Sequence, residues 1–289
     1  MKLCCNCCDG AFDSLDVRFT KACDNNCSFC IEKEGIPALP MAEVDNLITN
    51  TLKTKISSVL ILGGEPFLYP ERLLEYVKGI RPFVRTIYIT TSLPKTMMNH
   101  GKEVFEIMKL INGLNVSIQS IFWKENNEIL KASSQHNRLN ILRALNDIWA
   151  DKIRTSVNLV KGGLDTKEKL ILTLRSLSDS FGCKFVKINE LQHEKDLYIS
   201  YEDIMGIKLP SPYSHGCSTM IDHFKEYGMK ILLKRSCFLV EESRQATFTD
   251  LVKVIAKRHI KPQNKFAVMY EDGSVKGGWI SGKKKNCDD

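Results

Sequence analysis

Between residues 15 and 190, short β-branched runs alternate with longer stretches in which apolar residues recur at helical spacing. The runs LDVRFT (15–20), SVLILG (58–63), TIYITT (86–91), LNVSIQS (114–120), IRTSVNLV (153–160) and KFVKINEL (184–191) read as strands. Helical periodicity falls near 41–54, 71–80, 102–111, 138–150 and 166–181. Such alternation predicts an α/β fold with a parallel sheet, because parallel neighbours need a crossover connection and a helix is the usual one. VLIL and IYI are apolar at nearly every position, which predicts strands covered on both faces. An open doubly wound sheet and a curved, partial barrel both satisfy the pattern.

After residue 191 the pattern changes. YISYEDIMGIKLPSPYSHG (198–216) carries two prolines and several turn formers, so an irregular crossing segment is expected. Beyond it lie MKILLKRSCFLV (229–240), a basic helical stretch near 246–260, and KFAVMYEDGSVKGGW (265–279), where Asp272 and Gly273 predict a hairpin turn. The chain therefore divides into a cysteine-rich tail (1–14), a main α/β domain (15–191) and a small α+β appendage (192–289).

A length of 289 residues suits one large domain or a domain with an appendage. With 43% hydrophobic and 26% charged residues, ordinary for a globular protein, the chain is expected to fold compactly. MKLCCNCCDGAFDS lacks a signal-peptide core, and no segment approaches the roughly 20 apolar residues of a membrane span, so a cytoplasmic protein is expected. The net charge of +7 would suit an anionic substrate, an acidic electron donor or RNA. No aromatic residues interleave the basic clusters at 251–262 and 282–289, which argues for a solvated basic face over a nucleic-acid surface.

Eleven cysteines in a reducing compartment are metal ligands, reactive groups or buried apolar residues rather than a disulfide framework. KACDNNCSFCIE (21–32) sets Cys23, Cys27 and Cys30 at intervals of four and three. The triplet follows the first strand directly, at the strand end where parallel α/β folds build their sites. Closed zinc sites and most iron–sulfur clusters take four protein ligands. Three thiolates would hold three irons of a [4Fe–4S] cluster and leave the fourth iron for a small molecule.

Cys23, Cys27 and Cys30, with Phe29 before the last cysteine, resemble the CxxxCxΦC signature of the radical S-adenosylmethionine (SAM) superfamily. GGEP (Gly63, Gly64, Glu65, Pro66) resembles that family's glycine motif, whose backbone receives the SAM amino group, with Glu65 as a polar contact beside it. Ser92, in the TTS that ends strand three, stands where relatives often have Thr-Asn-Gly. Ser117 resembles the strand-four serine near the SAM carboxylate or ribose, and Asn158 the strand-five polar residue with similar contacts. VKINEL resembles the strand-six segment whose backbone, at Ile188, contacts adenine, with Glu190 facing the cavity. The resemblance implies a partial (β/α)6 TIM barrel, a [4Fe–4S] cluster and SAM. It further implies cleavage of SAM by one electron to a 5′-deoxyadenosyl radical that abstracts a substrate hydrogen, the electron coming from a low-potential donor such as flavodoxin or ferredoxin.

Cys217 and Cys237 resemble the ligands of an auxiliary-cluster domain, with Cys287 or an amino-terminal cysteine completing a second iron–sulfur cluster. The closely spaced cysteine pair usual near the end of such domains is missing here. Their other readings are buried small hydrophobes, or a hydrogen-atom donor to a substrate radical. Cys183 opens a strand and reads as core, while Cys4, Cys5, Cys7 and Cys8 form two overlapping CxxC pairs without an assigned role. Most of the six histidines read as surface residues, and His193 would reach a substrate at the cavity mouth.

The substrate expected is a small molecule, such as a sugar or nucleoside undergoing dehydrogenation, epimerisation or rearrangement. The short chain and the absence of a leader-recognition domain favour it over a peptide side chain, the alternative reading. A reading from another class is a cysteine-rich zinc module that binds RNA.

Overall fold

In a computed structural model, the protein is described over residues 14–33, 37–192, 194–209, 218–222, 224–236 and 266–277. The expectations for Cys4, Cys5, Cys7, Cys8, Cys217, Cys237, Cys287, His193, His215, His223, His259 and the helix near 246–260 lie outside the described residues.

The chain divides into two units, the first holding residues 1–24, 30–114 and 263–289. Its strands β1 (Ser14–Thr20), β2 (Ser58–Gly63), β3 (Thr86–Thr91), β9 (Phe266–Met269) and β10 (Val275–Lys276) follow the order β10-β9-β1-β2-β3. β9, β1, β2 and β3 are parallel neighbours, and β10 runs antiparallel on β9 across the hairpin turn at Asp272–Gly273. Gly273 has φ +83°, a left-handed conformation that glycine adopts without steric cost. Helices α1 (Val44–Lys53), α2 (Pro70–Ile80), α3 (Thr96–Asn99) and α4 (Gly101–Leu110) complete the unit. Proline at the first turn starts α2, and Leu73, Tyr76, Val77 and Ile80 place one buried stripe on it at i, i+3, i+4, i+7.

β9 is locked onto β1 by a buried ion pair. Arg18 Nε donates to Glu271 Oε2 at 2.6 Å, its guanidinium lies 4.6 Å from the centre of the Tyr270 ring, and Glu271 Oε1 accepts from Leu39 N at 2.8 Å. Burying such a pair is tolerated because hydrogen bonds satisfy its remaining atoms.

The second unit holds residues 25–29 and 115–262. It carries the last three residues of β4 (Gly113–Ser117), then β5 (Ile153–Leu159), β6 (Phe185–Glu190), β7 (Ser218–Ile221) and β8 (Lys230–Lys234), in the order β4-β5-β6-β8-β7. β5, β6 and β8 are parallel, whereas β7 is antiparallel to β8. The described strands of residues 192–289 thus form no sheet of their own, since β8 extends β6 and β9 extends β1. The unit's helices are α5 (Trp123–Leu130), α6 (Arg138–Trp149), α7 (Lys167–Asp179) and α8 (Tyr201–Met205). Asn137 and Thr166 cap α6 and α7 by accepting from Leu139 N and Lys169 N. α8 falls inside the stretch expected to be irregular: Ser200 Oγ accepts from Asp203 N, and Gly206 at φ +66° closes the turn.

The expectation of strands covered on both faces is corrected. Along β2, β3, β5 and β6, buried residues alternate with half-buried ones, so helices cover one face only. A doubly wound sheet carries helices on both faces, whereas barrel strands turn one face inward. The fold is α/β with a mostly parallel sheet of the partial-barrel kind. Among the described residues no helix is long and apolar enough to cross a membrane.

Candidate active site

In the first unit, the turn after β2 grips the start of the cysteine loop. Gly64 N donates to Thr20 O at 2.6 Å, and Glu65 N to Ala22 O at 2.8 Å. A Cβ on Gly64 would stand 2.0 Å from Ala22 O, and one on Gly63, at φ +129°, 2.4 Å from Thr20 O. Both positions therefore require glycine for the chain's own packing, whatever else their backbones bind. Cys23, one residue beyond this clamp, is exposed.

Glu65 is buried, and all four acceptor positions of its carboxylate are used. Oε1 accepts from Phe67 N at 3.1 Å and Thr91 Oγ1 at 2.8 Å; Oε2 accepts from Ser92 N at 2.7 Å and Ser92 Oγ at 2.8 Å. Glu65 and Ser92, both expected near SAM, thus join the end of β2 to the end of β3. Burial pushes the Glu65 carboxyl up to about 7 against the pull of these donors. Pro66 opens a buried 3₁₀ turn, Pro66–Leu68.

In the second unit, the middle of the same loop is held by the end of α5. Asn26 N donates to Leu130 O and Lys131 O, and the half-exposed Cys27 thiol contacts Leu130 O at 3.4 Å. Lys131, in the left-handed conformation at φ +49°, turns the chain out of α5 and offers these carbonyls. The fully buried Arg138 donates to Asn25 Oδ1 at 3.1 Å and to Asn127 Oδ1. Phe29 packs on Val160, Leu191 and Tyr198.

Ser117 and Asn158 are half-buried at the ends of β4 and β5, where they were expected. Asn158 accepts from Asn189 Nδ2 at 3.1 Å, and its backbone N–H donates to Gln119 Oε1 at 3.2 Å. The Ile188 side chain is in the core. The cavity-facing orientation expected of Glu190 is corrected. Its carboxylate turns to the helix side, accepting from Tyr201 N at 2.9 Å, Ser236 N at 2.8 Å and the Tyr198 hydroxyl at 3.3 Å. Burial raises its carboxyl, with the two backbone donors and Arg235 opposing. Cys183 is core as expected, against Thr155 and Asn146. His136 is buried, unlike the surface position expected of most histidines, with Nδ1 3.2 Å from Ser134 Oγ. Gln119, Arg138, Lys187 and Asn189 escaped the motif reading. Their signal was the alternation of polar residues along the strands and the polar positions after the fourth strand.

The donor set suits the implied cluster. Cys23, Cys27 and Cys30 lie in one loop and form no disulfide, and among the described residues no three metal-binding side chains, this triplet included, are drawn together as a metal site. A four-iron cluster takes one thiolate per iron, so the fit rests on the chemistry of three cysteine donors.

A sequence profile of the Radical SAM superfamily matches residues 17–177, more than half of the chain. The chain belongs to the radical SAM superfamily. The matched span takes in Cys23, Cys27, Cys30, Gly63–Pro66, Ser92, Ser117 and Asn158, and stops before Ile188 and Glu190. This radical SAM chain is 23% identical over 208 residues to GTP 3′,8-cyclase of Limosilactobacillus fermentum, covering 68% of itself and 61% of that protein. It is 26% identical over 116 residues to molybdenum cofactor biosynthesis protein 1 of Bos taurus, covering 37% of itself and 18% of that protein. In fold it resembles Streptococcus suis SuiB bound to S-adenosylmethionine, at TM-score 0.62 and 16% identity, covering 92% of this chain and 60% of SuiB. The chain thus spans about three fifths of the length of the Limosilactobacillus fermentum cyclase and of SuiB.

Proposed function

We propose that the chain holds a [4Fe–4S] cluster through Cys23, Cys27 and Cys30, binds SAM beside it, and abstracts hydrogen from a small-molecule substrate. The observation that carries this reading is the clamp of Gly64 and Glu65 on Thr20 and Ala22, which ties the glycine motif to the start of the cysteine loop. When bound, the cluster and SAM supply one-electron cleavage of a sulfur–carbon bond and the radical that takes the hydrogen atom.

The chain's own contribution is positional. Glu65 and Ser92 keep two strand ends in register, so the backbone of Gly63 and Gly64 is presented in one fixed conformation. Arg138 and the end of α5 fix the middle of the loop by contacts at Asn25, Asn26 and Cys27. Asn158, held by Asn189, presents a polar group on the inward face. A low-potential flavodoxin-like or ferredoxin-like protein would supply the electron. The half-buried inward face of β5 and β6, with polar groups at alternate positions, favours a compact polar substrate. A peptide substrate is the second reading, supported by fold likeness to SuiB bound to its precursor peptide SuiA, at TM-score 0.60.

The test is Cys27→Ala after anaerobic reconstitution with iron and sulfide. Cys27 is half-exposed and outside the apolar core, so the thermal midpoint should stay within about 2 °C. Formation of 5′-deoxyadenosine from SAM should vanish. Retained cleavage, or a chain that takes up zinc and no iron, removes the proposal.

A further inference from the structure

The inward face of the second unit is basic. Arg154, Ser156 and Asn158 on β5, Phe185, Lys187 and Asn189 on β6, and Leu232 and Lys234 on β8 are all half-buried. This face is turned away from the helices, because the alternate residues Thr155 and Glu190 meet Asn146 of α6, through Cys183, and Tyr201 of α8. In register, Lys187 stands between Ser156 and Leu232, and Asn189 between Asn158 and Lys234. Arg154, Lys187 and Lys234 therefore form an oblique line, each one strand over and two residues further toward the carboxyl edge. Strand spacing and rise put neighbours about 8 Å apart at the backbone, within reach of one ligand through long side chains.

Among the described residues, no carboxylate on this face neutralises Lys187 or Lys234. The face carries no Asp or Glu, and among the described residues Lys187 and Lys234 make no hydrogen bond or ion pair. The nearby acceptors Ser156 Oγ and Asn158 Oδ1 are taken by Asn189 Nδ2 at 2.7 and 3.1 Å. Burial, with the charges of Lys234 and Arg154, lowers the Lys187 amine to about 8. Like charges gathered on a half-buried face are unfavourable until an anion joins them.

We propose that Lys187 and Lys234, with Arg154 at the lower end, bind a phosphate-bearing part of the small-molecule substrate. The proposal rests on the reading that the face bearing Asn158 lines the substrate chamber. A phosphate offers several negative oxygens to the two lysine amines arriving from neighbouring strands, whereas a carboxylate, including that of SAM, carries one charge against two.

The experiment is calorimetric titration of the SAM-loaded holoprotein with inorganic pyrophosphate. Saturable binding is expected, weakened at least tenfold by Lys187→Met and by Lys234→Met, with SAM affinity unchanged. Lys184→Met, which removes an exposed cation paired with Asp151 at 2.9 Å, should leave binding within twofold. Lys187→Arg should bind within about threefold of wild type, and circular dichroism checks the fold of each variant. No saturable binding by the wild type, equal weakening by Lys184→Met, or equal displacement by acetate overturns the proposal. SAM cleavage without substrate is read in parallel. Its absence alongside intact pyrophosphate binding would sink the radical reading and leave the anion site standing; the reverse pattern would do the opposite.

Discussion

Neutralising Lys187 should make the ligand-free protein more stable. Lys187→Met keeps the aliphatic stem and removes the charge. Its amine is lowered from 10.5 to about 8, first by burial and then by Lys234 and Arg154, which corresponds to a penalty of about 3 kcal/mol on the charged form. The side chain keeps partial access to water, so the expected gain is smaller, about 2 kcal/mol at pH 7. The sign follows from linkage. Below pH 8 both states carry the proton and the native state bears the whole penalty. Between pH 8 and 10.5 the unfolded chain binds more protons than the native one, so wild-type stability rises with pH and the advantage of the variant shrinks. Urea denaturation at pH 7 and pH 10 measures this as a shift in midpoint at constant slope. A variant less stable than wild type at pH 7, or an advantage unchanged at pH 10, refutes the reasoning. A lysine retained for packing would lose stability when replaced; one retained for a ligand gains it and loses binding.

Gly64→Ala should weaken SAM binding at least tenfold and cost about 3 kcal/mol, because its Cβ meets the Ala22 carbonyl at 2.0 Å and displaces the start of the cysteine loop; wild-type affinity by equilibrium dialysis would sink this. Glu65→Ala should cost about 4 kcal/mol in urea denaturation, since the buried N–H groups of Phe67 and Ser92 lose their acceptor, and a loss below about 1 kcal/mol would remove Glu65 as a strut. The Glu65 carboxyl titrates near 7 in the native state against 4.5 unfolded, so its contribution falls as pH rises through that window. Glu65→Gln should accordingly gain about 3 kcal/mol relative to wild type between pH 5 and pH 8, and a pH-independent difference contradicts the assignment. Arg138→Met should cost about 3 kcal/mol and lower iron retention after reconstitution, because Asn25 and Asn127 lose their buried donor; unchanged iron content would show that the loop does not depend on it.

The sequence by itself determined the first six strands, five of the helices between them and the cysteine triplet at the first strand's end. Those features are local. Periodicity is set by backbone geometry, and a motif's spacing is written in consecutive residues. The short helix Tyr201–Met205 was missed because the prolines further along its segment masked a local cap at Ser200. Glu65 was legible as part of GGEP, but its strut role was not, because Thr91 and Ser92 lie 26 and 27 residues away in sequence. Glu190 was taken to face the cavity, yet Tyr201 and Ser236 bring backbone donors to it on the helix side.

The pairing of β9 with β1 and of β8 with β6 was likewise beyond the sequence. It depends on a buried contact between Arg18 and Glu271, 253 positions apart, and on a register that no local pattern encodes. The oblique line of Arg154, Lys187 and Lys234 belongs to the same class. Alternation tells which face of its own strand each cation takes, while only the lateral order of β5, β6 and β8 makes them neighbours, because sheet contacts run perpendicular to the chain.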